Sequence, residues 1–285
     1  TPLTLTSNEG HPEIIEVLIG KGANLHLKDK DGWTPLLSAS KGRHIEAVKV
    51  FLEKGADLSI ADKNGQTPLQ SASEGGHVQV VKLLLENGAD MATANNYGLT
   101  PLMSARVGGH VNIVRALLEH GTHLEFVRIY GQTLLSAAAR EGHVSVVEIF
   151  LNLTIDDFNR RDSQGLTALS WAARRGHAAV VSLLLEKGPG FAIPDSHGAT
   201  CLALASKEGH HEVVRTLLNH GADWAVANDS GVDALTLAVL GGHDDVATLL
   251  LSAGVHLLDD VYGFRALYES SVSPALRQRT TGCFR

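Results

Sequence analysis

Chemistry in this 285-residue chain would have to come from fifteen histidines, two cysteines, adjacent acid pairs and a cluster of arginines. Histidine suits zinc binding and proton transfer, but only when partners stand at the right spacing. Eight of the histidines, His11, His44, His77, His110, His143, His177, His210 and His243, recur at one point of a repeating pattern, most of them directly after glycine. That regularity assigns them to structure, holding loops and helix starts through backbone hydrogen bonds. His120 and His123 flank the helix-ending Gly121, a poor zinc pair, and the adjacent His210 and His211 would diverge on a helix. Cys201 and Cys283 have no metal spacing and cannot form a disulfide framework. The expectation is therefore no metal, no cofactor and a reducing, intracellular compartment, cytoplasmic or nuclear. The pairs Asp156-Asp157, Asp244-Asp245 and Asp259-Asp260 read as capping chemistry at turns and helix starts. The nucleophile elbow, the zincin helix, the P-loop and the dinucleotide fingerprint are all missing from the sequence. Asn152-Leu153-Thr154 and Asn228-Asp229-Ser230 match glycosylation triplets, which arise readily by chance.

The arginines are more informative. Lys and Arg total 24 against 31 Asp and Glu, a net charge of -7, which argues against general nucleic-acid binding. Yet residues 106–175 hold eight arginines, at 106, 115, 128, 140, 160, 161, 174 and 175, against seven acids. One reading is a binding patch for an acidic partner face, where guanidinium grips carboxylate or phosphate bidentately. The competing reading places Arg140, Arg174, Arg175 and Lys207 in the last turns of short helices, where a cation complements the helix dipole. A polyanion ligand is a further alternative and predicts steep salt dependence.

The elements that must position these side chains repeat. The pattern Gly-x-Thr-Pro-Leu places glycines at 32, 65, 98, 131, 165, 198, 231 and 263, spaced by 33, 33, 33, 34, 33, 33 and 32. In residues 62–94 the turn Asp62-Lys63-Asn64-Gly65 precedes Thr67, a good N-cap, and Pro68, suited to a first helical turn. Leu69, Ala72 and Ser73 share one face of a short helix stopped by Gly75-Gly76. Val78, Val81, Leu84 and Leu85 give a second helix its apolar face, and Gly88 ends it. One unit cannot bury both faces, so neighbours must stack. Apolar runs such as 80–85 are interrupted by charge, so no segment reads as membrane-spanning, and the first residues lack a secretory pattern.

With the 33-residue period, the TPL element, the Gly-His landmark and runs such as VVKLLLENGAD, the sequence resembles the ankyrin repeats over nearly its whole length. The resemblance implies an all-α ankyrin-repeat solenoid of helix-turn-helix units joined by β-hairpin-like loops. The single array divides into units at about 1–28, 29–61, 62–94, 95–127, 128–161, 162–194, 195–227, 228–259 and a degenerate 260–285. Because the first unit starts inside a repeat, the chain reads as part of a larger protein, and the isolated array is expected to be monomeric. The family's histidine after TPL is missing: the position holds Thr4, Leu37, Gln70, Met103, Ser136, Ser170, Ala203 and Thr236. Stability is then expected to lean more on packing. Units 5 and 6 depart most, with Arg128 for the turn Asp, Leu134 for Pro, Thr154 for the helix-ending Gly and one residue inserted in 152–165.

The resemblance also implies a protein-binding groove formed by hairpin tips and first helices. The aromatic tip residues Trp33, Tyr97, Tyr130, Tyr262 and Phe264 and the tip His197 are candidate anchors, with Trp33 expected to be exposed. The arginines Arg106, Arg128, Arg140, Arg160, Arg161, Arg174 and Arg175 are candidate orienting charges, Arg106 facing a neighbouring helix. The expected function is a recognition or scaffold module for a protein partner. The alternative is a small-molecule or catalytic groove using Arg128, Tyr130, Arg160 and Arg161 to stabilise an anion.

Overall fold

The computed structural model describes residues 1–121, 132–153, 158–188, 190 and 192–253. Arg128, Tyr130, Tyr262, Phe264, Thr154 and Cys283 lie outside the described residues.

Sixteen helices and no strands occur among the described residues, in consecutive pairs. The chain forms two compact parts, Thr1–Ile129 and Tyr130–Arg285. In the first part the pairs are α1 (Pro2–Glu9) with α2 (Pro12–Gly20), α3 (Pro35–Lys41) with α4 (Ile45–Glu53), α5 (Pro68–Glu74) with α6 (Val78–Glu86), and α7 (Pro101–Val107) with α8 (Val111–Glu119). In the second they are α9 (Leu134–Glu141) with α10 (Val144–Leu153), α11 (Ala168–Arg175) with α12 (Ala178–Glu186), α13 (Cys201–Lys207) with α14 (His211–Asn219), and α15 (Ala234–Leu240) with α16 (Asp244–Ser252). Within each part, first helices stack on first helices and second helices on second helices.

Local chemistry sets each pair. Thr34, Thr67, Thr100, Thr133, Thr167 and Thr200 cap the first helices, each hydroxyl accepting the amide three residues on at 3.0–3.4 Å. Asp233 does the same for α15 at 2.7 Å. The first helices are more deeply buried than a one-faced stripe: in α5 every residue from Pro68 to Ser73 is buried, because the helix sits between two neighbouring first helices and its own α6. Small residues such as Ala72 and Ser73 allow that approach. Ser73 hides its hydroxyl by donating to Leu69 O at 2.7 Å. The second helices bury one face only, as Val80, Val81, Leu84 and Leu85 do in α6.

The repeated histidines join one unit to the next. Nε2 of His44, His77, His110, His177, His210 and His243 bonds the backbone oxygen of Asn8, Lys41, Glu74, Arg140, Arg174 and Lys207 respectively, at 2.8–3.0 Å. Each target lies at the C-terminal end of the preceding unit's first helix, where carbonyls lack intrahelical donors. The backbone bonds expected from sequence are therefore present, but they run between units. They also explain paired glycines: a Cβ on Gly75 would lie 2.6 Å from the His77 ring, and one on Gly76 2.7 Å from the His110 ring. Where the family histidine after TPL is missing, Gln70 supplies one substitute, donating from Nε2 to Leu99 O in the next hairpin.

Candidate functional site

Six hairpin tips among the described residues are each closed by one side-chain oxygen, which makes them rigid. Asp29, Asp62, Asn95, Asp162, Asp195 and Asn228 each accept, through Oδ1, the amides two and four residues on, at 2.8–3.0 Å. Successive tips are then linked by backbone bonds, as from Asn96 N to Asn64 O at 2.9 Å and from Asp229 N to His197 O at 3.0 Å. At Gly165, φ is +75° and a Cβ would meet Ser196 N of the next hairpin at 2.6 Å, so only glycine fits both the turn and the stacking.

The second compact part brings three of the candidate arginines together. Cζ of Arg140 on α9 and of Arg174 on α11 each lie 5.5 Å from the centroid of the Trp171 ring, and Cζ of Arg175 lies 5.9 Å away. Trp171 is buried, packed on Leu166, Ala199, Ala203 and Leu204, so the guanidinium groups cover an indole that the core supports from beneath. Its Nε1–H donates to Asp162 Oδ2 at 2.7 Å, which fixes the ring plane. Arg140 is already engaged, with Nε and Nη2 donating to Glu141 at 2.9 and 2.8 Å and Nη1 to Gln132 at 3.4 Å. Arg174 and Arg175 have no carboxylate within 4 Å among the described residues, and they are half-buried and exposed respectively. The arrangement is a positively charged patch with an aromatic floor, suited to carboxylate recognition.

The other sequence candidates sort differently. Trp33 is half-buried rather than exposed, because Lys41 Nζ from α3 sits over its ring at 4.2 Å. Arg106 is buried, at 5% exposure, and so belongs to the packing of α7 rather than to a surface that a partner could touch. Arg161 is exposed but turns back, its Nε donating to Gly165 O at 3.0 Å, and Arg160 is half-buried beside it. Tyr97, at 69% exposure, and His197 are the exposed tip candidates. Arg128, Tyr130 and Tyr262 fall outside the described residues. Sequence reasoning missed Trp171 and Asp162. The available signal was Trp171 itself, which replaces the serine found at the matching positions 38, 71 and 104.

Cys201, the first residue of α13, is buried, and burial pushes its thiol up to about 12. A cleft of about 450 Å³ lies where Gly176 meets His210, His211, Glu212, Val213 and Asp245. It is open to solvent and involves none of the four residues named for an anion-stabilising groove. Among the described residues no His/Cys/Asp/Glu group could hold a metal ion, and no helix is long and apolar enough to cross a membrane.

Stacked helix pairs with projecting, hydrogen-bonded hairpins define a solenoid repeat protein. The profile of the family described as ankyrin repeats (3 copies) matches residues 3–95, 56–127, 91–162, 124–195, 150–228 and 191–261. The chain therefore belongs to the ankyrin-repeat family. Among solved structures it is similar to the human ASB11 ankyrin repeat domain, with a TM-score of 0.71 and 28% identity over 78% of this chain and 98% of that one. No curated protein matches the sequence. Ankyrin repeats are in general protein–protein interaction modules.

Proposed function

We propose that this array recognises a protein partner through the hairpin tips and first helices of its second compact part, with a partner face that carries acids. The observation that supports this reading best is the convergence of Arg140, Arg174 and Arg175 on Trp171. Aromatic and arginine side chains dominate interface energetics, and clustered charge orients encounter and raises on-rate. Rigid tips lower the ordering cost of binding. An intracellular setting fits a sequence with two cysteines and no disulfide framework.

The test is paired capture from cell lysate, read by mass spectrometry, with the native chain and the Arg140→Glu/Arg174→Glu/Arg175→Glu variant as baits. Circular dichroism first establishes that the variant folds. A protein held by the native bait and lost by the variant supports the site. Equal capture by both baits moves the site towards Tyr97 and His197 and leaves the arginines as helix-end electrostatics.

A further inference from the structure

We propose that Arg174 and Arg175 form a carboxylate clamp over Trp171 that takes an Asp or Glu side chain from an acidic segment of the partner protein, while Arg140 is a positioning residue and not part of the grip. This rests on the protein-binding reading above and names the chemistry of its site.

Three guanidinium groups within 6 Å of one ring centroid repel one another, and among the described residues only Arg140 has a carboxylate within 4 Å. Arg140 is held by Glu141 on its own helix and by Gln132. Gln132 in turn donates from Nε2 to Asp162 at 3.5 Å, and Asp162 holds the indole N–H. This chain of contacts fixes one wall of the site and the plane of its floor. Asp162 makes no ion pair within 4 Å with the other wall among the described residues: Oδ1 accepts the Gln164 and Leu166 amides, and Oδ2 accepts the Trp171 and Gln132 donors, so its carboxylate is spent on the turn and the ring. Among the described residues, Arg174 and Arg175 therefore have no carboxylate within 4 Å, and they sit against an apolar surface that lowers the local dielectric. Both sit in the last turn of α11, which Gly176 ends in the left-handed conformation, and both guanidinium groups come within 6 Å of the one ring centroid. Their backbone is tied as well, since the Arg174 carbonyl accepts from His210. A carboxylate entering between them gains charge-assisted bonds and relieves the repulsion. A lone aromatic or aliphatic side chain gains neither, because the ring face is already covered.

The helix-dipole reading makes a different prediction for the same residues: their loss would lower stability slightly and leave binding alone. A displayed random-peptide library separates the two. Selection against the full chain is expected to enrich peptides that share an acidic residue. Titrated by fluorescence anisotropy, those peptides should bind Arg174→Gln/Arg175→Gln at least about tenfold more weakly, since each charge-assisted bond is strong. Arg140→Gln, which loosens one wall without removing a gripping group, should cost less than the arginine pair, whereas the charge-matched control Lys82→Gln/Arg115→Gln on exposed sites of the first part should cost less than about threefold. Arg174→Lys/Arg175→Lys keeps the charge and loses the fork, so it should recover only part of the affinity. Thermal melts confirm folding of each variant. Enriched peptides without acids, or acidic peptides that lose as much with the control as with the arginine pair, overturn the clamp while leaving the protein-binding reading in place. Failure to enrich any peptide at all overturns both.

Discussion

Trp171 decides how the arginines around it are read. Their clustering in the sequence was legible, but their convergence was not. Arg140 and Arg174 are separated by a whole unit plus the inserted residue, and only stacking of α9 on α11 brings them to one ring. The ring is also part of the core, since it packs on Leu204 and Ala203. Trp33, expected to be exposed, is half-buried, with Lys41 Nζ from its own first helix over the ring. Cys201 gives a prediction at the same scale. A thiol raised from 9.0 to about 12 by burial stays protonated and unreactive in the folded chain. Its contribution to stability is complete below the ordinary thiol value and is lost as pH rises from there through about 12. Alkylation at pH about 9, mapped by peptide mass spectrometry to distinguish Cys283, should proceed at Cys201 only at the rate of unfolding. Rapid labelling of Cys201 in the native state would contradict the burial described.

Helices and their joints were the most legible level. Thr before all first helices but the last, with Pro after it in the first four, glycine after every second helix but α10 and the period of 33 located the pairs, and Thr34, Thr67, Thr100, Thr133, Thr167 and Thr200 bond as their position implies. The histidines were assigned a structural part from sequence, yet their target was hidden, because the acceptor lies 36 or 37 residues upstream in another unit. Replacing His210 by Ala removes the bond to Arg174 O and opens space beside Gly176, whose notional Cβ would lie 2.6 Å from that ring. The expected loss is about 1–2 kcal/mol in chemical unfolding, one hydrogen bond plus an orphaned helix-end carbonyl. Replacing His220, which bonds Thr216 O within its own unit and is exposed, should cost no more than about 0.5 kcal/mol. Equal costs for the two would show that the joint between units is not where the histidines act.

Over the whole molecule, a chain with net charge -7 concentrates an arginine-rich surface on one run of first helices, while its second helices turn a separate face to solvent. Family membership explains the scaffold and its general use, since stacked repeats offer an extended surface whose side chains vary without disturbing the joints. Identity of the partner is written in those variable side chains, which is why period and caps said little about it. On the function proposed above, partners meet the hairpins and first helices of units 5–7, not the second helices. The most direct measurement places a photo-crosslinking benzoylphenylalanine at Gln164, on an exposed hairpin tip, or at Ala179, exposed on α12, and irradiates each in the presence of the captured partner. Crosslinking from Gln164 and none from Ala179 is the expected result. Crosslinking from Ala179 with none from Gln164 would contradict the account.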